Sequence, residues 1–323
     1  MTSKERVLTA LRCQKPDRVP FMELGVDYVV GQRLLKKERY DQGELAEFLC
    51  LDGIGTGLYP TIYVERRTDE TGRSFIVGGQ IKDRSDLSMV DPGDPTDQFR
   101  YDQVKKFVDK HGDRYAIFAA TNIGLDPLLL SMGPESFAYA LVDDPKLVEE
   151  ILDIYAEWSA EVVTRLQQCG VDIIWFTDDI AFNSSMMFSP EFFREVAKPR
   201  LARVMDRVKV PAIFHSDGFI LPIIDDLIEL GFSGIHPLDP CAVDIEQVKE
   251  KYGSRICLVG NIDLRYTLVN GKPHEVEQEV KDRVTRIGRD GGYILSSANT
   301  ITSYCKDENI LAMRDALLKY GAV

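Results

Sequence analysis

The sequence is short of positive charge, and this shortage limits the partners that we expect. Its 323 residues include 39 lysines and arginines against 52 aspartates and glutamates, which gives a formal net charge of −13. An acidic surface repels phosphate backbones and anionic lipid headgroups. Nucleic acid and membrane surfaces are therefore not expected as partners, whereas a local basic pocket could still hold a small anion.

Long apolar runs and paired cysteine motifs are also absent from the sequence. No apolar run approaches the roughly 20 residues that span a bilayer. The opening, M-T-S-K-E-R-V-L-T-A-L, is expected to begin an amphipathic helix and not a signal peptide. The six cysteines are widely scattered and form no C-x-x-C pair. This usage predicts reduced thiols and a cytoplasmic location.

The sequence does contain a repeated alternation of short apolar runs with helical patterns. Helical periodicity lies between most of the runs, over 145–166, 222–230, 274–287 and 309–321. Apolar strands that alternate with helices are typical of parallel sheets that are buried on both faces. The eight runs are 18–25, 52–59, 115–122, 171–178, 210–217, 232–238, 255–263 and 291–299.

Eight strand–helix units predict an α/β fold, a closed (β/α)8 TIM barrel, for which about 250 residues are typical. We interpret the whole chain, residues 1–323, as one such domain. Within residues 60–85, two alternating runs flank a D-E-T-G-R turn, which predicts an inserted β-hairpin after the second strand. The alternative is an open doubly wound sheet, but the nearest match to its glycine-rich fingerprint, D-G-I-G-T-G-L, has the wrong spacing.

Polar residues collect at the carboxyl ends of the predicted strands, where the chemistry of such barrels takes place. His215 and Asp217 stand two residues apart, so their side chains should point the same way. Imidazole nitrogen and carboxylate oxygen both bind zinc, and a third ligand could come from Glu23, Asp178 or Cys305. The alternative is a metal-free, hydrogen-bonded pair that orients substrate.

Other strand ends supply further candidates. Asp178 and Asp179 could act as a general base with a binding partner, because adjacent carboxylates raise each other's pKa. Aspartate is also a common helix cap, and a histidine before proline, such as His236, can simply pack in a loop. The residues with a predicted substrate-binding role are Glu23, Asn122, His236, Asn261 and Asn299.

Several motifs together resemble the uroporphyrinogen decarboxylase superfamily. They are R-V-L-T-A-L-R-C-Q-K-P-D-R-V-P-F near the start, H-S-D-G after the fifth strand, G-N-I-D at the seventh, and G-G-Y-I-L-S-S-A-N with E-N-I-L-A-M at the end. The resemblance covers essentially the whole chain and implies the same barrel. It also implies one of two chemistries. These are decarboxylation of uroporphyrinogen, or zinc-assisted methyl transfer between a corrinoid protein and a thiol or methoxylated compound.

The sequence departs from the decarboxylase pattern at three strand ends. M-E-L-G-V-D (22–27) replaces the arginine-bearing M-R-Q-A-G-R, and G-T-G-L-Y follows the second strand where decarboxylases place a catalytic aspartate. After the eighth strand, A-N-T replaces G-H-G. A substrate with many carboxylates needs arginines, whereas Glu23 and Asp27 would repel it. These differences favour the methyltransferase branch.

That branch carries a zinc site that resembles H-x-C after the fifth strand, with a second cysteine after the eighth. Here His215 matches, Asp217 replaces the first cysteine, and the second position falls near Asn299, a few residues before Cys305. An oxygen-richer site would suit a methoxylated donor, whose ether oxygen must be polarised. The resemblance therefore implies a corrinoid-dependent methyltransferase that performs O-demethylation. Its zinc would be held by His215, Asp217 and Cys305, and its cobalamin by a partner corrinoid protein.

In this scheme His215 and Asp217 hold the metal or give a proton to the leaving oxygen, while Asp178, Asp179 and Asn261 position the substrate. One alternative is a metal-free decarboxylase or lyase that acts on a small carboxylic acid or a tetrapyrrole. Another is a barrel that only binds a tetrapyrrole-like ligand. The sequence does not decide whether the chain forms a homodimer.

Overall fold

The computed structural model describes residues 1–70 and 74–322. Its strands are β1 (Gly53–Gly57), β2 (Val64–Thr68), β3 (Ser74–Gly79), β4 (Ala116–Thr121), β5 (Ile173–Thr177), β6 (Ala212–His215), β7 (Gly234–His236), β8 (Cys257–Ile262) and β9 (Tyr293–Ser297). Strands β1, β4, β5, β6, β7, β8 and β9 pair in that order, in parallel, in one curled sheet. They match seven of the predicted strands.

The α-helices are α1 (Ser3–Leu11), α2 (Tyr28–Leu35), α3 (Gln42–Leu49), α4 (Gln98–His111), α5 (Leu125–Asp143), α6 (Pro145–Gln168), α7 (Pro190–Phe192), α8 (Lys198–Met205), α9 (Ile224–Glu229), α10 (Ile245–Tyr252), α11 (Pro273–Asp282) and α12 (Asp307–Tyr320). Helices α4–α11 lie between successive strands of this sheet, α1–α3 precede β1, and α12 follows β9. The described residues also contain two 3-10 helices (Arg84–Met89, Leu221–Ile223) and two short π-helices (Phe193–Ala197, Arg283–Ile287). None of the helices in the described ranges combines the length and apolar character that a bilayer crossing requires.

The first predicted strand, 18–25, forms isolated bridges and not a regular strand. Phe21 bridges Leu295 of β9, and Met22 bridges Gly53 of β1, both in parallel. Pro20 has no N–H to donate, but its carbonyl accepts a 2.9 Å bond from the Leu295 amide. The segment therefore lies between the two edge strands of the curled sheet.

A buried carboxylate fixes this segment against β1. Asp52 is fully buried and contacts the Arg6 guanidinium at 2.6 Å and the Arg18 guanidinium at 3.0 Å. It also accepts the Phe21 amide at 2.9 Å. A buried carboxylate is tolerated only when it is paired and hydrogen-bonded in this way.

Apolar side chains fill both faces of the sheet, as its uninterrupted apolar runs predict. One cluster lies inside the curl and includes Met22, Phe118, Trp175, Ile213 and Ile294. The larger cluster lies between the sheet and the surrounding helices. The strands are therefore held in place from two sides, and their carboxyl ends are rigid supports for side chains.

Strands β2 and β3 form a separate antiparallel pair between β1 and α4. Gly79 at the end of β3 packs on α5, where an added Cβ would lie 2.3 Å from the Ser131 carbonyl oxygen. The turn of the predicted hairpin falls partly on residues 71–73, which lie outside the described residues.

Candidate metal centre

Three side chains from the ends of two neighbouring strands converge at one point. Asp179 follows β5, His215 ends β6, and Asp217 lies two residues beyond it, and their nearest ligand atoms all lie within 4.8 Å of one another. The turn after Asp217 requires Gly218, whose φ is +84° and whose added Cβ would meet the Phe182 carbonyl oxygen at 2.6 Å. The group offers one imidazole nitrogen and two carboxylate oxygens.

The Asp217 carboxylate has one satisfied oxygen and one orphaned oxygen. Its Oδ2 accepts a 2.7 Å bond from the Asn299 amide nitrogen. Its Oδ1 is buried, has no hydrogen-bond partner among the described residues, and lies 3.9 Å from Nε2 of His215. Burial, followed by the charge of Asp179, raises the pKa of Asp217, although His215 opposes the shift. A buried acceptor beside a ring nitrogen is an arrangement that a cation would stabilise.

Asp179 completes the group from the loop after β5. Its Oδ1 accepts the backbone N–H of Asp217 at 2.8 Å and lies 3.5 Å from Nε2 of His215. The backbone bond fixes the β5 loop relative to the β6 loop, so the two carboxylates keep their separation without a metal. This centre is therefore partly pre-formed.

His236 lies directly behind His215. Their Nδ1 atoms are 2.6 Å apart, and His236 is completely buried at the end of β7. The indole ring of Trp175 packs edge-on against His236, with 5.0 Å between ring centroids. Burial, followed by the neighbouring His215, lowers the pKa of His236 well below its ordinary value. The inner imidazole is thus held neutral and does not face the mouth of the sheet.

Glu23 is buried on the far side of His236. Its carboxylate accepts the Ser297 amide at 2.8 Å and the Ser297 hydroxyl at 2.6 Å, and it lies 3.3 Å from the Ser296 hydroxyl. Burial raises the pKa of Glu23 to about 8, although these bonds oppose the shift. The same residue lines a cavity of about 250 Å³. Other residues that line this cavity include Tyr28, Tyr40, Leu45, Ile54 and Phe118.

Asp178, adjacent to the group, is engaged with backbone amides. It is completely buried and accepts bonds from the amides of Ile123, Gly124 and Asp126 at 2.7, 3.1 and 3.0 Å. These are donors at the start of α5 that have no partner within the helix. Asp178 therefore caps α5 from the next strand and fixes the two loops relative to each other.

Asp126, in the first turn of α5, is a functional candidate that sequence reasoning missed. Its carboxyl pKa is raised to about 8, first by burial and then by the charges of Asp178 and Asp179. The only sequence signal was an aspartate in G-L-D-P just after the third predicted strand, which reads equally well as an ordinary helix start.

The remaining predicted site residues bind protein groups. Asn122 donates to the carbonyl and the hydroxyl of Thr177. Asn261 donates to the Leu238 carbonyl at 2.7 Å and accepts from the Arg283 guanidinium at 2.8 Å. Buried Cys305 is not part of the three-residue group, and its Sγ lies 3.9 Å from the Thr302 hydroxyl. Of the predicted residues, His215, Asp217, Asp179 and Asn299 come together.

Comparisons with known proteins agree with this architecture. A family model for uroporphyrinogen decarboxylase (URO-D) matches residues 78–320. A methylcobamide:CoM methyltransferase, MtaA, from Methanosarcina barkeri is 28% identical over 189 residues, 58% of this chain and 53% of the relative. A uroporphyrinogen decarboxylase from Methylococcus capsulatus is 24% identical over 185 residues, 56% of this chain and 51% of the relative.

A solved methyltransferase from Methanosarcina mazei superposes with a TM-score of 0.77 at 22% identity, covering 99% of both chains. This likeness shows a shared fold. The alignments with the two curated relatives are shorter than this superposition. The chain spans about half the length of the curated relatives that it matches.

Proposed function

This chain belongs to the uroporphyrinogen decarboxylase family, and we propose that it is a corrinoid-dependent methyltransferase with a metal ion at Asp179, His215 and Asp217. The observation that carries the proposal is the orphaned, buried Oδ1 of Asp217 beside the His215 imidazole. The methyltransferase name of the Methanosarcina barkeri relative supports the reaction class.

The three side chains fit a divalent cation such as zinc. Zinc takes histidine nitrogen and carboxylate oxygen at about 2.0–2.2 Å, and catalytic sites keep a position open beyond three protein ligands. The side chains of Asp179 and Asp217 are 43% and 39% exposed, so an incoming substrate can reach them. The Asn299 amide holds Asp217 in place from β9. In this proposal Asp179 is the third ligand, in place of the predicted Cys305.

An oxygen-rich ligand set favours a methoxylated donor over a thiol. A metal ion with carboxylate ligands prefers to bind an oxygen atom of the substrate, whereas a metal ion with thiolate ligands is better suited to bind and activate a sulfur atom. When bound, a divalent ion at this centre would polarise the ether oxygen of the donor as a Lewis acid. The donor loses its methyl group to cobalamin on a partner protein, and the oxygen that remains needs a proton.

We assign this proton to Asp126, which lies in the first turn of α5 and whose carboxyl is near enough to Asp179 to feel its charge. Its raised pKa keeps the carboxyl protonated at neutral pH. A general acid works best when its pKa lies near the working pH. Asp178 holds the Asp126 amide at 3.0 Å and so positions this acid indirectly.

A decarboxylase acting on a polycarboxylate is the less favoured alternative. The mouth presents Asp179 and Asp217, and an ionised carboxylate there would repel a substrate carboxylate at short range. Because one relative is named a uroporphyrinogen decarboxylase, an experiment must distinguish decarboxylation from methyl transfer.

The partner and the cell compartment follow from the same proposal. Exposed Tyr59, Phe182 and Tyr266 follow β1, β5 and β8, and this apolar rim would receive the corrinoid protein. All six cysteines are free, which supports the reducing cytoplasm. We further infer that the bridges of segment 18–25 close the sheet between β9 and β1, so that the chain forms one barrel domain with the β2–β3 pair inserted.

The decisive experiment combines metal analysis with a methyl-transfer assay. Purified protein should hold about one zinc per chain and should form methylcobalamin from cob(I)alamin and a methoxylated aromatic. Asp217→Asn should lose both properties, whereas Asp225→Asn, a matched change at an exposed carboxylate, should keep both. Protein that holds no metal and transfers no methyl group, but releases carbon dioxide from a carboxylic acid, would refute the proposal.

A further inference from the structure

A continuous line of hydrogen-bonding groups runs inward from the candidate metal centre. Nδ1 of His215 lies 2.6 Å from Nδ1 of His236, and Nε2 of His236 lies 3.3 Å from the Ser296 hydroxyl. The same hydroxyl lies 3.3 Å from Oε2 of Glu23. These four residues come from β6, β7, β9 and the segment that bridges the two edge strands.

The Glu23 end sets the direction of these hydrogen bonds. Oε1 accepts the Ser297 amide, and Oε2 lies 2.6 Å from the Ser297 hydroxyl, the shorter of its two hydroxyl contacts. A proton on Oε2 would therefore lie toward Ser297, and the Ser296 hydroxyl donates to Glu23 whether or not the carboxyl is ionised. A hydroxyl has one proton, so Ser296 must accept from His236.

The donor-to-acceptor order at Ser296 then determines which ring nitrogen carries the proton in His236 and in His215. If His236 donates from Nε2, its neutral ring has a lone pair on Nδ1. At 2.6 Å the two Nδ1 atoms share one proton, and it must come from His215. A neutral His215 with its proton on Nδ1 has a bare Nε2, the nitrogen that faces Asp179 and Asp217.

The surroundings of Nε2 of His215 agree with a tautomer that carries its proton on Nδ1. Asp179 Oδ1 at 3.5 Å and Asp217 Oδ1 at 3.9 Å are both beyond the 2.7–3.2 Å typical of N–H···O bonds. A proton on Nε2 would therefore lack a well-placed acceptor. A metal ion between the three atoms would use the lone pair instead.

We propose that Glu23, Ser296 and His236 are positioning residues that fix the proton of His215 on Nδ1 and leave Nε2 free to bind a metal. This inference rests on the metal site proposed above. It reassigns Glu23 from substrate binding to support of the centre. Partners behind a metal-binding histidine typically account for about 10–100-fold in metal affinity.

The tautomer can be read directly in metal-free protein. Long-range proton–nitrogen NMR of protein labelled with 15N-histidine distinguishes Nδ1–H from Nε2–H rings, and the chain has only four histidines to assign. We expect His215 to carry its proton on Nδ1 and His236 on Nε2. An Nε2–H tautomer at His215 in the wild-type protein would overturn the inference.

Glu23→Gln should reverse the chain at nearly constant volume. A glutamine amide nitrogen in place of Oε2 donates to Ser296, which must then donate to His236. His236 would carry its proton on Nδ1, and His215 would move its proton to Nε2. We expect zinc affinity, measured by competition with a chromophoric chelator, to fall by about 10–100-fold.

Two further variants keep the test decisive if Glu23→Gln folds poorly. Ser296→Ala removes the link between Glu23 and His236, so the His215 tautomer should become mixed and zinc affinity should fall. Ser131→Ala is the matched control, because Ser131 is equally buried but its hydroxyl contacts Tyr155 and has no place in the line from Glu23 to His236. It should leave the His215 tautomer unchanged, and an equal effect of both serine variants would refute the chain.

The two proposals fail in different ways. Protein that shows the expected tautomers but binds no zinc would refute the metal site and retain the hydrogen-bond chain. Protein that binds zinc tightly, with tautomer and affinity unchanged in Glu23→Gln and Ser296→Ala, would refute the chain and retain the metal site.

Discussion

Asn299 donates a 2.7 Å hydrogen bond from its side-chain amide to Oδ2 of Asp217. The bond joins the loop after β9 to the loop after β6, and it leaves Oδ1 of Asp217 directed toward His215. One amide therefore decides which carboxylate oxygen is available as a ligand. The family resemblance implies a cysteine ligand near this position, where this chain has Asn299.

Asn299→Ala should weaken zinc binding by about 10–100-fold, because Asp217 would lose its fixed orientation. Competition with a chromophoric chelator measures the change. Asn270→Ala, at an exposed asparagine in the loop after β8, is the control and should leave the affinity unchanged. Equal affinities for Asn299→Ala and the wild type would remove Asn299 from the site.

Asp217→Cys should tighten zinc binding, because a thiolate is a softer ligand that zinc accepts readily. The change also restores the H-x-C pattern of the zinc-dependent methyltransferases that the sequence resembles. We expect the gain in affinity to come with a loss of methyl transfer from an ether donor. Asp225→Cys, on the exposed surface, should give neither effect, and a variant at 217 that binds zinc more weakly would contradict the assigned geometry.

Asp52→Ala should lower the free energy of unfolding by about 3–5 kcal/mol, because two arginines would lose a fully buried partner. Urea unfolding followed by circular dichroism measures the loss. Asp17→Ala is the control. Asp17 also pairs with Arg6, but its side chain is 41% exposed, so the change should cost about 1 kcal/mol or less. Similar losses for the two variants would argue against a special role for the buried pair.

Asp126 should make stability fall as pH rises. The pKa of its carboxyl is raised to about 8 in the folded chain, against about 3.9 in an unfolded one. Between these values the folded state binds a proton that the unfolded state lacks, so the free energy of unfolding decreases with pH. Asp126→Asn removes this dependence and should gain stability over the wild type, more at about pH 8 than at about pH 5.

Urea unfolding at a series of pH values, in metal-free protein, measures this difference. Asp113→Asn, at an exposed aspartate, should follow the wild-type profile. A constant offset between Asp126→Asn and the wild type at every pH would show that Asp126 ionises normally in the folded chain.

Much of the sheet could be predicted because its strands are buried on both faces and therefore appear as uninterrupted apolar runs. The segment 18–25 differs because Pro20 removes a donor from the ladder, and only bridges form around it. The convergence of His215, Asp217 and Asn299 followed from strand ends alone, since parallel strands bring their carboxyl ends to one edge of a sheet.

Other features of the site depend on distances that the sequence does not show. The raised pKa of Asp126 arises from burial and from carboxylates more than 50 residues away along the chain. Cys305 follows β9 and stays a predicted ligand, but it is not part of the group that Asp179, His215 and Asp217 form. The role of Glu23 depends on Ser296 and Ser297, which are distant in sequence and adjacent only when the sheet has curled.

Glu23 and Ser297 are separated by 274 residues along the chain. During synthesis the ribosome must therefore pass residue 297 before the hydrogen bonds between Glu23 and Ser297 can form. Until then the segment around Glu23 has no partner in β9. A nascent chain would carry His215, Asp217 and Asp179 long before it could orient them. In the proposed scheme, full affinity for the ion therefore comes only after residue 297 has been made, later than the three ligands themselves.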